Sequence, residues 1–99
     1  MKISYLREDL LSVTGGYKEA LLLDYMLRAC DYNEDNGVLL TLDVISEESQ
    51  LWMSATAICK YMSELVGRGY IIEHGRKRFV NIRKLRKDLE HGGYKLIRV

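Results

Sequence analysis

The sequence predicts an α+β domain with three or more helices and a small antiparallel sheet, and three observations lead to it. Ser54 to about Val66 reads as a capped amphipathic helix. Gly67 and Gly69 break that helix around Arg68. Tyr70 to Ile82 then reads as a β-hairpin with three consecutive cations, Arg76, Lys77 and Arg78, at or near its tip. Capped helix, glycine break and cationic hairpin, in that order, are the signature of a winged helix-turn-helix. The commonest use of that module is to lay one helix in a DNA groove with a basic wing beside it.

The elements follow in chain order. Met1 to Leu6 reads as a short strand, and Arg7 to Val13 as a short helix ending before Thr14-Gly15-Gly16. Tyr17 to about Tyr32 is the main core helix: Ala20, Leu23, Leu27 and Cys30 form one stripe, broadened by Leu22 and Met26. Asp24 and Arg28, four apart, are expected to pair on its wet side. Asp31 to Gly37 is a polar loop and Val38 to Thr41 a short strand. Asp43 is a candidate cap for a helix through Val44, Ile45 and Glu48, which runs into a turn at Leu51-Trp52-Met53, where Trp52 reads as a core wedge.

Ser54 caps the next helix, without the reciprocal carboxylate of a capping box because Ala57 stands at its third position. Ile58, Met62 and Leu65 recur at helical spacing, flanked by Ala55, Tyr61 and Val66, while Thr56, Lys60, Ser63 and Glu64 fall on other faces. Tyr70 to Ile72 and Phe79 to Ile82 favour the two hairpin strands, joined by a turn at His74-Gly75-Arg76-Lys77. Arg83 to His91 is a helix with Leu85 and Leu89 inward and Arg83, Lys84, Arg86 and Lys87 outward, stopped by Gly92-Gly93. Tyr94 to Val99 is a closing strand. The domain is thus one unit over 1–99, with the helix-turn-helix at about 43–68, the wing at about 70–82 and a C-terminal helix and strand over 83–99.

Composition narrows the class. Ninety-nine residues at 47% hydrophobic content build one core, just above the roughly 70 to 80 residues below which a core needs help. Cys30 and Cys59 lie within apolar helical patterns with no signal peptide before them, which predicts reduced, buried thiols and a cytoplasmic setting. No apolar run approaches the roughly 20 residues of a membrane-spanning helix. The net charge of +1 hides a division: residues 1–50 carry 4 Lys or Arg against 10 Asp or Glu, and residues 51–99 carry 11 against 4. A basic half that includes the hairpin suits a polyanion, since phosphate neutralisation supplies most nonspecific nucleic-acid affinity.

Other chemistry finds little support. Gly15-Gly16-Tyr17-Lys18 lacks the glycine spacing and the following Ser or Thr of a phosphate loop and reads as a helix-opening turn. Cys30, Cys59, His74 and His91 lack paired ligand spacing, so no metal or other cofactor is expected. Glu47-Glu48 and the Asp31, Glu34, Asp35 group are carboxylates on polar surfaces, without the pocket that acid-base catalysis needs. The chain is not expected to be an enzyme.

Ala20-Leu21-Leu22-Leu23, Trp52-Met53-Ser54, Ile58-Cys59-Lys60-Tyr61-Met62 with Leu65, and Gly69-Tyr70-Ile71 carry a further signal. Over roughly Gly16 to Ile82 the chain resembles the N-terminal winged-helix domains of replication initiation proteins from phages and plasmids of Gram-positive bacteria, of the DnaD-like replisome-organiser type. The resemblance implies duplex DNA binding in replication initiation or its regulation. Where that family's helix offers a basic or polar residue, a Thr and then Arg, this chain has Ala55, Ala57 and Lys60, which implies modest base specificity. The residues expected at DNA are Thr56, Lys60 and Ser63 toward the groove, with Arg68, Arg76, Lys77, Arg78, Arg83, Lys84 and Lys87 toward phosphates. A homodimer or higher oligomer is expected from strand-like terminal segments whose edges invite pairing, the alternative being that the two segments pair with each other inside one monomer. The alternative is a winged-helix protein-interaction module, an oligomerisation domain or small phage-encoded adaptor or inhibitor, with the acidic N-terminal half as the partner surface.

Overall fold

A computed structural model describes residues 8–39 and 54–96. Among these are four helices and a two-stranded antiparallel sheet: α1 (Glu8–Thr14), α2 (Tyr17–Ala29), α3 (Ala55–Gly67), β1 (Ile71–His74), β2 (Lys77–Val80) and α4 (Ile82–His91). This α+β order is compatible with the expected winged helix. The expected strand at Met1 to Leu6, the last three residues of the one at Tyr94 to Val99, the helix after Asp43 and the Leu51-Trp52-Met53 turn lie outside the described residues, as do Leu40 and Thr41.

The helices form where the apolar spacing places them. Glu8 and Asp9 in the first turn of α1 suit the positive end of its dipole. At its far end the buried Thr14 hydroxyl is 2.9 Å from the Leu10 carbonyl and 3.1 Å from that of Gly16, which ties α1 to the start of α2. Gly15 between them takes a positive φ of 74°. Leu10, Leu22, Leu23, Met26, Leu27, Ile58, Leu65, Leu85 and Leu89 are all fully buried, so every helix contributes to one core. α2 packs against α1 and α3, and α4 packs against α1.

The hairpin is in register Ile71 with Val80, Ile72 with Phe79, Glu73 with Arg78 and His74 with Lys77, leaving a two-residue loop at Gly75-Arg76. Gly75 has φ 63° and Arg76 does not share the positive sign, the pattern of a type II′ turn, whose twist matches that of the strands. Val38 adds a single bridge on the free side of β2, with N–H to O distances of 2.8 and 3.1 Å to and from Arg78. The sheet order is therefore β1, β2, Val38.

Five expectations need correction. The main helix ends at Ala29, not near Tyr32, because Asp31 and Tyr32 both adopt φ 55° and turn the chain back. Asp24 does pair with Arg28, at 3.0 Å, but it is buried rather than on the wet side, one residue past the core stripe at Leu23. Cys59 is exposed: it follows buried Ile58, and one residue is 100° of helix rotation. Ile82 opens α4 instead of extending β2, since Asn81 caps the helix by accepting the Lys84 amide at 3.2 Å. Tyr94, Lys95 and Leu96 form no strand.

Candidate nucleic-acid interface

Ser54 holds extended backbone and its hydroxyl accepts the Ala57 amide at 3.1 Å, which sets where α3 begins and so which residues face outward. Ile58, Met62 and Leu65 are buried against the core. Thr56, Lys60, Ser63 and Gly67, spaced four, three and four apart, fall on the opposite side with Cys59, and all are exposed. Lys60 is the one cation of that stripe, and its ammonium lies 5.5 Å from the Tyr61 ring centroid. Small side chains around a single charge give a flat surface with few groups able to discriminate bases.

The hairpin is fixed to the end of α3. Tyr70 donates its amide to Leu65 at 3.0 Å and Asn81 donates its own to the Tyr70 carbonyl at 2.8 Å. The Asn81 side-chain amide also reaches the Gly69 carbonyl at 3.2 Å. At the other end of the hairpin Arg76 and Lys77 are exposed, and no carboxylate among the described residues pairs with either. Arg78 differs from its neighbours. Strand alternation turns it to the other face, where its Nε is 3.5 Å from Glu73 and its side chain is only 23% exposed.

The remaining candidates spread out. Arg68 caps α3 beside the α1–α2 turn, close to Gly15, and stands about 18 Å along the axis from Thr56 at 1.5 Å per residue. Arg83 is exposed and 3.3 Å from Glu34. Lys84 is half-buried, 3.2 Å from Asp88 and 5.4 Å from the Tyr70 ring centroid. Lys87 is exposed on α4. Nine of the ten candidate residues thus fall into an α3 stripe, the hairpin and an α4 group, Arg68 stands apart at the end of α3, and Arg78, Arg83 and Lys84 already hold carboxylates.

The chain matches no protein-family model, no curated protein and no solved structure. At the Gly15-Gly16 turn the Glu19 carboxylate lies beside Gly16, which places a negative charge at the start of α2. Among the described residues no group of three or more His, Cys, Asp or Glu is placed to hold a metal, and no helix is long and apolar enough to cross a membrane. Burial pushes the Cys30 thiol above its usual pKa and keeps it protonated, its hydrogen directed at the Leu27 carbonyl.

Two features escaped the sequence reading. One is a cluster in which the Tyr70 hydroxyl donates to Asp88 at 2.8 Å. Burial and that bond push the Tyr70 pKa up to about 12, and the same bond holds the Asp88 carboxyl below its usual range. Nothing in periodicity joins residues eighteen apart. The other is Asn81, whose signal was available: an Asn immediately before an amphipathic run is a cap.

Proposed function

We propose that this chain is a winged-helix module that binds duplex DNA with modest sequence preference, in the initiation of phage or plasmid replication or its control. In this reading α3 is the recognition helix, the β1–β2 hairpin is the wing, and the resemblance to DnaD-like initiation domains supplies the replication context. The observation that carries it is the mechanical unity of α3 and the hairpin. Hydrogen bonds from Tyr70 and Asn81 fasten the base of the hairpin to the C-terminal end of α3, which supports a reading in which the two elements act together on one ligand. Thr56, Lys60 and Ser63 face the groove in this reading, and Arg76 and Lys77 contact phosphates.

The weak charge of α3 places most of the affinity on the backbone of the DNA, with little on its bases. Arg68, Lys87 and, after release of its carboxylate, Arg83 add to the field that draws in DNA. Fluorescence anisotropy against several unrelated duplexes at two salt concentrations tests the reading. Binding to all of them, weakening steeply as salt rises, is the expected result. No binding at low salt would overturn it and leave the protein-interaction module in its place.

A further inference from the structure

The outer face of the hairpin sheet carries Lys77 at its tip end, and the part of it beyond Lys77 has no role in the DNA reading. Ile71 and Val80, cross-strand partners, point into the core, so alternation sends the next pair, Ile72 and Phe79, to the other face. Ile72 is 48% exposed, and Leu39, one residue past buried Val38, is 63% exposed. An open recess of about 380 Å³ lies here, lined by Ile72, Phe79, Val80, Asn81, Glu34, Asp35 and His74. Its size is at the small end of ligand pockets, which run from about 300 to 1,000 Å³. Gly37 stands beside it: a Cβ there would be 2.8 Å from both the Phe79 ring and the Lys77 stem, so a larger residue would push those side chains aside.

Charge decides what fits. The full charges lining the recess are two carboxylates, which repel a phosphate backbone. Arg83 neutralises Glu34, whereas Asp35 is exposed and no cation among the described residues pairs with it. An apolar floor with an unneutralised carboxylate at its rim complements an apolar side chain flanked by Lys or Arg.

We propose that this face docks a basic peptide segment of a partner protein, with one large apolar side chain in the recess and a flanking cation on Asp35. The site is independent of the DNA reading and survives its failure. The test is an NMR titration of the full ¹⁵N-labelled chain with the capped peptide Lys-Arg-Leu-Phe-Arg-Lys and its charge-reversed counterpart Glu-Asp-Leu-Phe-Asp-Glu. Shifts centred on Asp35, Ile72, His74 and Phe79 are expected, with at least about tenfold weaker binding of the acidic peptide. Ile72→Ala should weaken the basic peptide by about tenfold and Asp35→Lys by about threefold or more, each retaining a folded spectrum because both side chains are exposed. Absence of binding, shifts confined to α3 and the hairpin tip, or unchanged affinity in both variants would overturn the proposal. Shifts at the recess on adding duplex DNA, or on raising protein concentration alone, would assign the face to DNA or to a second copy and overturn it equally.

Discussion

Tyr70 is the residue at which α3, the hairpin and α4 meet. It begins the hairpin, its ring lies under the Lys84 ammonium, and its hydroxyl holds Asp88 on α4. The hydroxyl bond to a carboxylate is charge-assisted, so Tyr70→Phe should cost about 1 to 2 kcal/mol at neutral pH. The sign of the pH effect follows from the raised pKa of about 12. The folded state holds the phenol proton more tightly than the unfolded chain does, so this stabilisation is complete below pH 10 and is lost as pH rises from 10 to about 12. Asp88 works in the opposite sense: its lowered pKa gives stability present above the ordinary value of 3.8 and lost as pH falls through the folded one. Thermal melts across pH should therefore show the Phe variant closer to wild type at pH 12 than at pH 8. A constant difference between the two proteins would mean that the hydrogen bond is not what Tyr70 contributes. The sequence marked Tyr70 only as a strand former, because the partner that sets its pKa is on another element.

Elements were legible where a single stripe decides them, and illegible where a junction does. α3 shows its buried face in Ile58, Met62 and Leu65 and its start in Ser54, all readable from spacing and one cap. At the junction of β2 and α4, Phe79, Val80 and Ile82 read as a run of strand formers, and local propensity favoured a longer strand. Asn81 overrides it by closing three contacts at once: the Lys84 amide, the Gly69 carbonyl and the Tyr70 carbonyl. Two of these use the side chain and have different chemistry. Asn81→Ala removes both the cap and the clasp and should cost about 2 kcal/mol, near 8 to 16 °C in melting temperature for a domain of this size. Asn81→Asp keeps the capping oxygen but has no N–H for Gly69, so about half that loss is expected. Calorimetry on the pair separates the two roles: equal losses would show that the cap contributes nothing, and an unchanged Asn81→Asp that the clasp contributes nothing.

At the scale of the whole molecule, the division between an acidic first half and a basic second half was plain from the sequence, but which cations remain available was not. Two of the pairings depend on other elements, with Glu73 across the ladder from Arg78 and Glu34 reaching Arg83 from a loop 49 residues away, whereas Asp88 takes Lys84 one helical turn along α4. Arg76 and Lys77 stay exposed because a two-residue turn offers them no carboxylate. The three consecutive cations of the hairpin are therefore unequal, and a salt titration of duplex binding distinguishes them. Replacing Arg76 and Lys77 together with Gln should flatten the slope of log affinity against log salt by about 1.8, at about 0.9 per lost phosphate contact. Arg78→Gln should leave the slope unchanged and shift stability by no more than about 1 kcal/mol, since its pair with Glu73 is partly exposed. If Arg78→Gln instead flattens the slope by the same 0.9 per residue, DNA competes successfully with Glu73 for the guanidinium. Glu73→Gln should then raise the affinity of the wild-type hairpin, because the phosphate no longer has to displace a carboxylate.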